Sequence, residues 1–166
     1  MRRRKQRGSA MVEFVLTGIP LIFMWIGIFW MSFGLWEFHT LQYAAKAANS
    51  YLAVHGASYV NVAGTGIKVK DVANVFAANA VGIVPKSVTL TLTAGAGSTK
   101  TCRLDTCQSD TTQWPPTTAN SIETDIKLQA AFTFKAPFAM WTPAHGVAKF
   151  ANSYSLSGDS HQQILF

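Results

Sequence analysis

The stretch that decides the fold is Met11–Trp36, which reads MVEFVLTGIPLIFMWIGIFWMSFGLW. Glu13 is its only charged residue, and the 23 residues from Phe14 to Trp36 carry no charge. A helix of that length spans about 35 Å, and the hydrocarbon core of a bilayer is about 30 Å thick. Because no face of the stretch is polar, it predicts a membrane-spanning helix. The alternative is a secretory signal peptide, whose apolar region would have only about 7–15 residues.

The positive charge of the chain is concentrated at its N-terminus. Five of the 14 Lys and Arg residues lie in the first seven positions, and the chain from Ser9 onward has 9 basic and 8 acidic residues. A basic cluster beside a spanning helix stays in the cytoplasm by the positive-inside rule, which predicts that the C-terminal part lies outside, in the periplasm. A nucleic-acid partner is not expected, because its binding site would spread basic residues over a folded face.

The head of the chain, MRRRKQRG, ends in Gly8, and Glu13 is the fifth residue after it. A short basic leader, a small residue, and then Glu13 and Phe14 at the start of an apolar helix resemble a type IV prepilin. The resemblance implies a class III signal that a prepilin peptidase cuts between Gly8 and Ser9 on the cytoplasmic side, while the helix stays in the membrane.

Glu13 and Phe14 are the assembly residues that this resemblance implies, with the carboxylate facing the free amine of a neighbouring subunit. A carboxylate near the centre of a bilayer costs about 2.5–3.5 kcal/mol, and less near one end, so a charged residue in such a helix favours a functional role. The alternative is an ordinary membrane anchor in which Glu13 merely marks the interface.

Three segments make the resemblance more specific. They are VEFVLTGIP at Val12–Pro20, WEF at Trp36–Phe38, and LQYAAKAANSYLA at Leu41–Ala53. In this order they resemble the TadE-like minor pilins of tight-adherence pilus systems, closely over about the first 56 residues. The resemblance implies a type IV pilin-like α+β fold, in which a long N-terminal helix, transmembrane in its first half, packs on a small antiparallel sheet. Pro20 lacks an N–H and clashes with the preceding turn, so we expect it to kink the helix.

Beyond the membrane segment an apolar stripe continues at helical spacing. Its members are Phe38, Leu41, Ala45, Ala48 and Leu52, with His39, Tyr43, Lys46 and Ser50 on the opposite side. The helix is expected to run to about Val54 and to stop near Gly56. The chain therefore divides into a basic leader at 1–8, a transmembrane and amphipathic helix at 9–56, and an external, periplasmic α+β domain at 57–166.

The external domain is expected to contain an antiparallel sheet of three or four strands. Alternating apolar and polar residues predict strands at Ser87–Thr93, Ile122–Phe134 and Phe150–Leu156. The inward residues would be Val88, Leu90 and Leu92, and then Ile122, Ile126, Leu128, Ala130, Phe132 and Phe134. The sequence predicts a loop at 57–70, with room for a short strand at Gly66–Val69, and then a short helix capped by Asp71. It also predicts a loop at Ala94–Asn120, the end of the second strand at Pro137, and a tail at Ser157–Phe166.

Cys102 and Cys107 are the only cysteines. An even pair on the outer side of a membrane suggests a disulfide, which would close a short loop and stabilise the fold by about 2 kcal/mol. A metal site would need two more ligands at suitable spacing, and the four histidines, His39, His55, His145 and His161, are scattered. No metal or other cofactor is expected.

The sequence carries no catalytic motif. It has no G-x-S-x-G elbow, and GTG at Gly64–Gly66 is too short for a phosphate loop, so neither an enzyme nor a small-molecule substrate is expected. The leading interpretation is a TadE-like pseudopilin, whose implied partners are a prepilin peptidase, other minor pilins, the major pilin and an inner-membrane assembly platform. The alternatives are a minor pseudopilin of a type II secretion system, a single-pass anchored binding module, and a membrane-tethered enzyme or metal-binding protein.

Overall fold

A computed structural model describes residues 7–56, 66–95, 97–144 and 147–165, with side chains at 11–56, 66–95, 97–136 and 152–165. Most of the predicted leader and of the loop at 57–70 lies outside these residues. The chain forms two compact units, Met1–Trp36 and Glu37–Phe166. The last part of the N-terminal helix therefore belongs to the same unit as the sheet.

Helix α1 runs from Arg7 to His55 and includes Pro20. Its end beside Gly56 confirms the predicted stop. A Cβ atom at Gly56 would lie 2.9 Å from Cγ2 of Ile164 and 3.0 Å from the carbonyl oxygen of Leu52. The helix thus ends at a residue whose lack of a side chain lets the chain pass close to Ile164.

Helix α2 spans Val69–Asn79 and buries Val72 and Phe76. Because it already begins at Val69, the predicted short strand at 66–69 is wrong; Lys68 forms only a single bridge, to Gln113. The carboxylate of Asp71 accepts a hydrogen bond from the backbone N–H of Lys68 at 3.0 Å. Asp71 therefore caps the helix from its first turn, where a negative charge also suits the helix dipole.

Four antiparallel strands form the sheet, in the order β2-β1-β3-β4. The strands are β1 (Val88–Ala94), β2 (Ser98–Arg103), β3 (Asp125–Ala144) and β4 (Val147–Gln163). Most of the predicted inward residues and most of the helical stripe are buried in one core, including Leu41, Ala45, Ala48, Leu52, Val88, Leu90, Leu92, Ile126, Leu128 and Ala130. The α+β fold with a helix packed on a small antiparallel sheet is thereby confirmed.

The prediction of a loop over Ala94–Asn120 is wrong, because the segment contains strand β2 and helix α3 (Leu104–Cys107). β2 is a polar edge strand, STKTCR, whose side chains are at most half-buried. Such a strand shows no hydrophobic alternation, which is the signal on which sequence-based strand prediction depends.

Both predicted limits of the second strand are wrong. Ile122 is exposed, and the strand begins only at Asp125, after Glu123 adopts a positive φ of 68°. At the other end β3 continues through Pro137 to Ala144, and its register with β4 shifts between Lys135 and Met140. A proline cannot donate a backbone hydrogen bond to the neighbouring strand. The register shift accommodates Pro137 without ending β3.

The predicted tail at Ser157–Phe166 is also wrong, because β4 continues to Gln163 and Ile164 is buried. The backbone N–H of Ile164 donates to the carbonyl oxygen of Thr124, and that of Leu165 to the carbonyl oxygen of Ala53, both at 3.0 Å. The C-terminal segment thus packs between the end of α1 and the start of β3.

The interface between β4 and α1 is polar, which explains why its sequence lacks apolar alternation. The Nδ2 atom of Asn49 donates to Oγ of Ser160 at 3.2 Å, and Nε2 of Gln162 donates to Oγ of Ser50 at 3.0 Å. At Gly158, also on this side, a Cβ atom would lie 3.1 Å from the backbone nitrogen of Gln42. Hydrogen bonds and close backbone approach therefore replace large apolar side chains here.

Asp110, just after α3, forms hydrogen bonds and an ion pair that connect this segment to β2 and α2. Its carboxylate lies 2.8 Å from Nζ of Lys100 and accepts hydrogen bonds from the backbone N–H and hydroxyl of Thr112. Its carbonyl oxygen accepts a bond from the N–H of Lys70 in α2 at 3.0 Å. The hydrogen bond from Lys100 and then those from Thr112 lower the pKa of Asp110 from 3.8 to about 2.

We expect Asp110→Asn to lower the free energy of unfolding by about 1 kcal/mol at neutral pH, since the site is partly exposed. A carboxyl group whose pKa is lower in the folded state stabilises the fold above its unfolded pKa and ceases to do so as pH falls through its folded pKa. The difference from the native chain should therefore persist above about pH 4 and vanish towards about pH 2. Denaturant titrations across this range, with Asp159→Asn on β4 as the control, test this. A difference that does not depend on pH would contradict it.

Candidate functional site on the N-terminal helix

Gly8 and Ser9, the predicted cleavage site, lie in the first turn of α1. The first four N–H groups of a helix have no intrahelical acceptor, and glycine is less favourable than alanine in a helix by about 1 kcal/mol. The turn that contains the Gly8–Ser9 bond therefore has fewer intrahelical hydrogen bonds to lose than a turn in the middle of α1. An extended conformation of this bond, as a peptidase requires, needs only this turn to unwind.

Glu13 and Phe14 lie one turn further along, and both side chains are exposed. The hydroxyl of Thr17 donates to the carbonyl oxygen of Glu13 at 2.8 Å, so this neighbouring polar group is satisfied within the helix. Among the described side chains, none forms an ion pair with the Glu13 carboxylate.

Pro20 lies inside α1, which continues on both sides of it. The carbonyl oxygen of Leu16 loses its usual donor there, because proline has no N–H. The kink at Pro20 stays a prediction.

The side chains from Met11 to Trp36 present an almost wholly apolar surface. Phe14, Phe23, Met24, Trp25 and Phe29 are all about two-thirds exposed or more. In the described residues, α1 is the one helix that is long and apolar enough to cross a membrane, and no part of its most apolar window is buried in the protein. Leaving such a surface in water is unfavourable, and the length and composition of this helix fit a single-pass membrane anchor.

Glycines along α1 offer room for a second helix. A Cβ atom at Gly27 would meet nothing within 4 Å, so no contact with the described residues requires a glycine there. Glu13, Pro20, Gly27 and Gly34 are spaced seven residues apart and lie roughly on one helix face. Small residues at such positions let another membrane helix approach closely.

Glu37 is a further candidate functional residue. The sequence pattern noted it only as part of the WEF segment. Its side chain is 6% exposed, and its Oε2 atom has no hydrogen-bond partner among the residues that the structure describes. The sequence signal for its burial is its position four residues before Leu41, which places it on the side of the helix that faces the core. A buried carboxylate oxygen without a partner is unfavourable, and this marks Glu37 as a residue whose role is not explained by packing.

The disulfide predicted between Cys102 and Cys107 is present and joins β2 to the end of α3, with the two Cα atoms 5.7 Å apart. In β2 and α3 the side chains of Arg103 and Asp105 also form an ion pair, with Nε and Oδ1 2.6 Å apart. This pair raises the pKa of Arg103 and lowers that of Asp105. Within the described ranges, no three His, Cys, Asp or Glu side chains are grouped so that they could hold a metal ion.

Comparison with known proteins adds one match. Residues 8–48, about a quarter of the chain, match the family model of TadE-like proteins, which are structural components of pili. The matched range begins at Gly8, contains Glu13 and Pro20, and ends in the part of α1 that packs on the sheet. The resemblance to this family is thereby confirmed over these residues. No curated protein and no solved structure matches the chain.

Proposed function

We propose that this chain is a TadE-like minor pilin, a membrane-inserted structural or assembly component of a tight-adherence pilus that a prepilin peptidase cuts after Gly8. The observation that carries the proposal is the family match over residues 8–48, whose first residue is the proposed cleavage residue. The fold agrees with it, because α1 is apolar along its first part and packs on a four-stranded sheet along its last part.

The proposed topology places the N-terminus in the cytoplasm and the unit Glu37–Phe166 in the periplasm. The basic head supports this orientation by the positive-inside rule. The Cys102–Cys107 disulfide supports it independently, since disulfides persist in oxidising compartments such as the periplasm.

Assembly would follow from the chemistry of the new N-terminus. Cleavage would leave a free amine on Ser9, about one helical turn before Glu13, so the amine and the carboxylate would differ in depth by only about 6 Å. Neighbouring subunits that are offset along the helix axis by about one turn would then bring the amine of one to the carboxylate of the other. At the edge of the hydrocarbon core the effective dielectric constant is lower than in bulk water, which strengthens the attraction. Other minor pilins, the major pilin and an inner-membrane platform are the proposed partners.

We expect Glu13→Ala to leave membrane insertion and cleavage unchanged but to lower the recovery of partner pilins about tenfold or more, because loss of one member of a buried charge pair costs about 2–5 kcal/mol. Pull-down from detergent extracts of cells that express the whole pilus system measures the recovery. Glu13→Gln, which keeps the size but not the charge, should behave like Glu13→Ala.

Thr17→Ala serves as the control, since it changes a polar residue one turn away whose hydroxyl bonds only to the backbone of α1. It should recover partners as the native chain does. Native recovery with Glu13→Gln would show that the charge has no role in assembly.

A further inference from the structure

Two described residues with a carboxyl or amide side chain are buried, namely Glu37 and Asn49. Asn49 donates hydrogen bonds from Nδ2 to Oγ of Ser160 and to the carbonyl oxygen of Ile126. Only Glu37 can carry a charge, and its Oε2 atom has no partner among the described residues. A buried charge without a partner is far more unfavourable than a buried neutral group. The free energy of burying Glu37 therefore depends on whether its carboxyl is ionised.

Contacts between α1 and β4 show which part of the sheet lies beside each turn of the helix. A Cβ atom at Gly158 would lie 3.1 Å from the carbonyl carbon of Leu41. Further along both elements, Nε2 of Gln162 donates to Oγ of Ser50 at 3.0 Å. The two elements therefore run in the same direction, and earlier residues of α1 lie beside earlier residues of β4.

The sheet beside Glu37 is apolar. Glu37 precedes Leu41 by one turn, which is about 6 Å along the helix, and the same distance along a strand is about two residues. Counted back from Gly158, this places Glu37 near Leu156 and its partner on β3, Phe132. The next inward residue of β3, Phe134, is buried as well.

The described charged groups on these elements lie away from the Glu37 carboxyl. Lys135 is exposed on the face of β3 opposite to Phe134, and the phenol of Tyr154, on the inward side of β4, carries no charge. Burial is accordingly the cause that raises the pKa of the Glu37 carboxyl. The other charged or titratable groups are His39 and Lys46 on the exposed side of α1, Asp159 on the exposed side of β4, and His145 and Lys149, whose side chains are not described.

We propose that Glu37 is buried as a neutral carboxyl and that its ionisation loosens the turn of α1 at 37–41 from the sheet. An ionised carboxyl with an unpartnered oxygen needs water, and water reaches it only if this turn moves outward. Glu37 is the first residue of the unit Glu37–Phe166. The pH therefore controls how tightly α1 is held where it enters this unit. The proposal does not rest on the pilus function.

Denaturant titrations of the full-length protein in detergent, with Glu37→Gln beside the native chain, test the proposal. Glutamine keeps the size of the neutral acid and cannot ionise. A carboxyl group whose pKa is higher in the folded state stabilises the fold fully below its unfolded pKa, and ceases to do so as pH rises through its folded pKa. The two chains should be equally stable at about pH 4. At about pH 8 the unfolding equilibrium constant of the native chain should be at least about fivefold larger than that of Glu37→Gln.

Glu123→Gln is the matched control, because it makes the same change at an exposed carboxylate. It should show no such dependence on pH. Hydrogen exchange of the backbone amides at 38–45 locates the effect, and at about pH 8 these amides should be less protected in the native chain than in Glu37→Gln.

Three results would overturn the proposal. Glu37→Gln that is less stable than the native chain at about pH 8 would mean that the carboxylate is ionised and paired, for example with Lys149. Equal stability of the two chains at both pH values would mean that ionisation does not affect the packing. A difference in stability without a difference in exchange at 38–45 would mean that this turn does not loosen.

Discussion

Replacing Gly8 by Leu is expected to abolish processing, so that only the full-length chain accumulates in the membrane. The proposed peptidase has to accept the residue before the cut in an extended conformation, and a bulky side chain there would fill the space that glycine leaves. Leucine also stabilises the first turn of α1, which has to unwind, by up to about 1 kcal/mol relative to glycine. An immunoblot of the membrane fraction, with the native chain beside it, separates the longer form from the mature form.

Gly8→Ala distinguishes side-chain size from helix stability. Alanine favours the helix at least as strongly as leucine but adds only one methyl group. If size decides, Gly8→Ala is still processed and Gly8→Leu is not. A normal mature band from Gly8→Leu would contradict the assignment of the cleavage site.

Gly158→Val is expected to lower the free energy of unfolding of the unit Glu37–Phe166 by about 3 kcal/mol, the upper end for overpacking. A Cβ atom at Gly158 would lie 3.1 Å from the backbone nitrogen of Gln42 and 3.2 Å from the carbonyl oxygen of Leu41. These are backbone atoms of α1 and cannot rotate away, so the helix or the strand has to move. The movement would also disturb the hydrogen bond between Asn49 and Ser160.

Chemical denaturation of the purified protein in detergent measures this effect, with resistance to proteolysis as a second readout. Gly97→Val is the matched control, because a Cβ atom there would meet nothing within 4 Å. It should change stability by less than about 1 kcal/mol. Similar losses from the two variants would show that the approach of β4 to α1 does not determine stability.

The elements with a strong hydrophobic pattern could be predicted from the sequence, and the polar ones could not. The apolar N-terminal helix follows from an uncharged stretch, its stop from Gly56, and the inward residues Leu90 and Leu128 from apolar alternation. β2 and the last part of β4 have no such pattern, since β2 is a polar edge and β4 meets α1 through Ser160 and Gln162. Their strand structure depends on partners that are distant in sequence.

The candidate site divides in the same way. Gly8, Ser9 and Glu13 are predicted from a local signal, namely a basic head, a small residue and one charge in an apolar helix, and their roles stay predictions. The burial of Glu37 could not be predicted in this way, because it depends on how the last part of α1 packs within the unit Glu37–Phe166. The proposed partner of Glu13 is another subunit, so neither the sequence nor the fold of this chain can identify it.

The N-terminus of the mature protein is the most direct test of the proposed function. Mass spectrometry of the protein extracted from membranes of cells that contain the pilus system gives its intact mass and its first residue. Cleavage by a prepilin peptidase predicts a chain that begins at Ser9. A chain that still carries Met1 or Arg2 at its N-terminus would contradict the proposal.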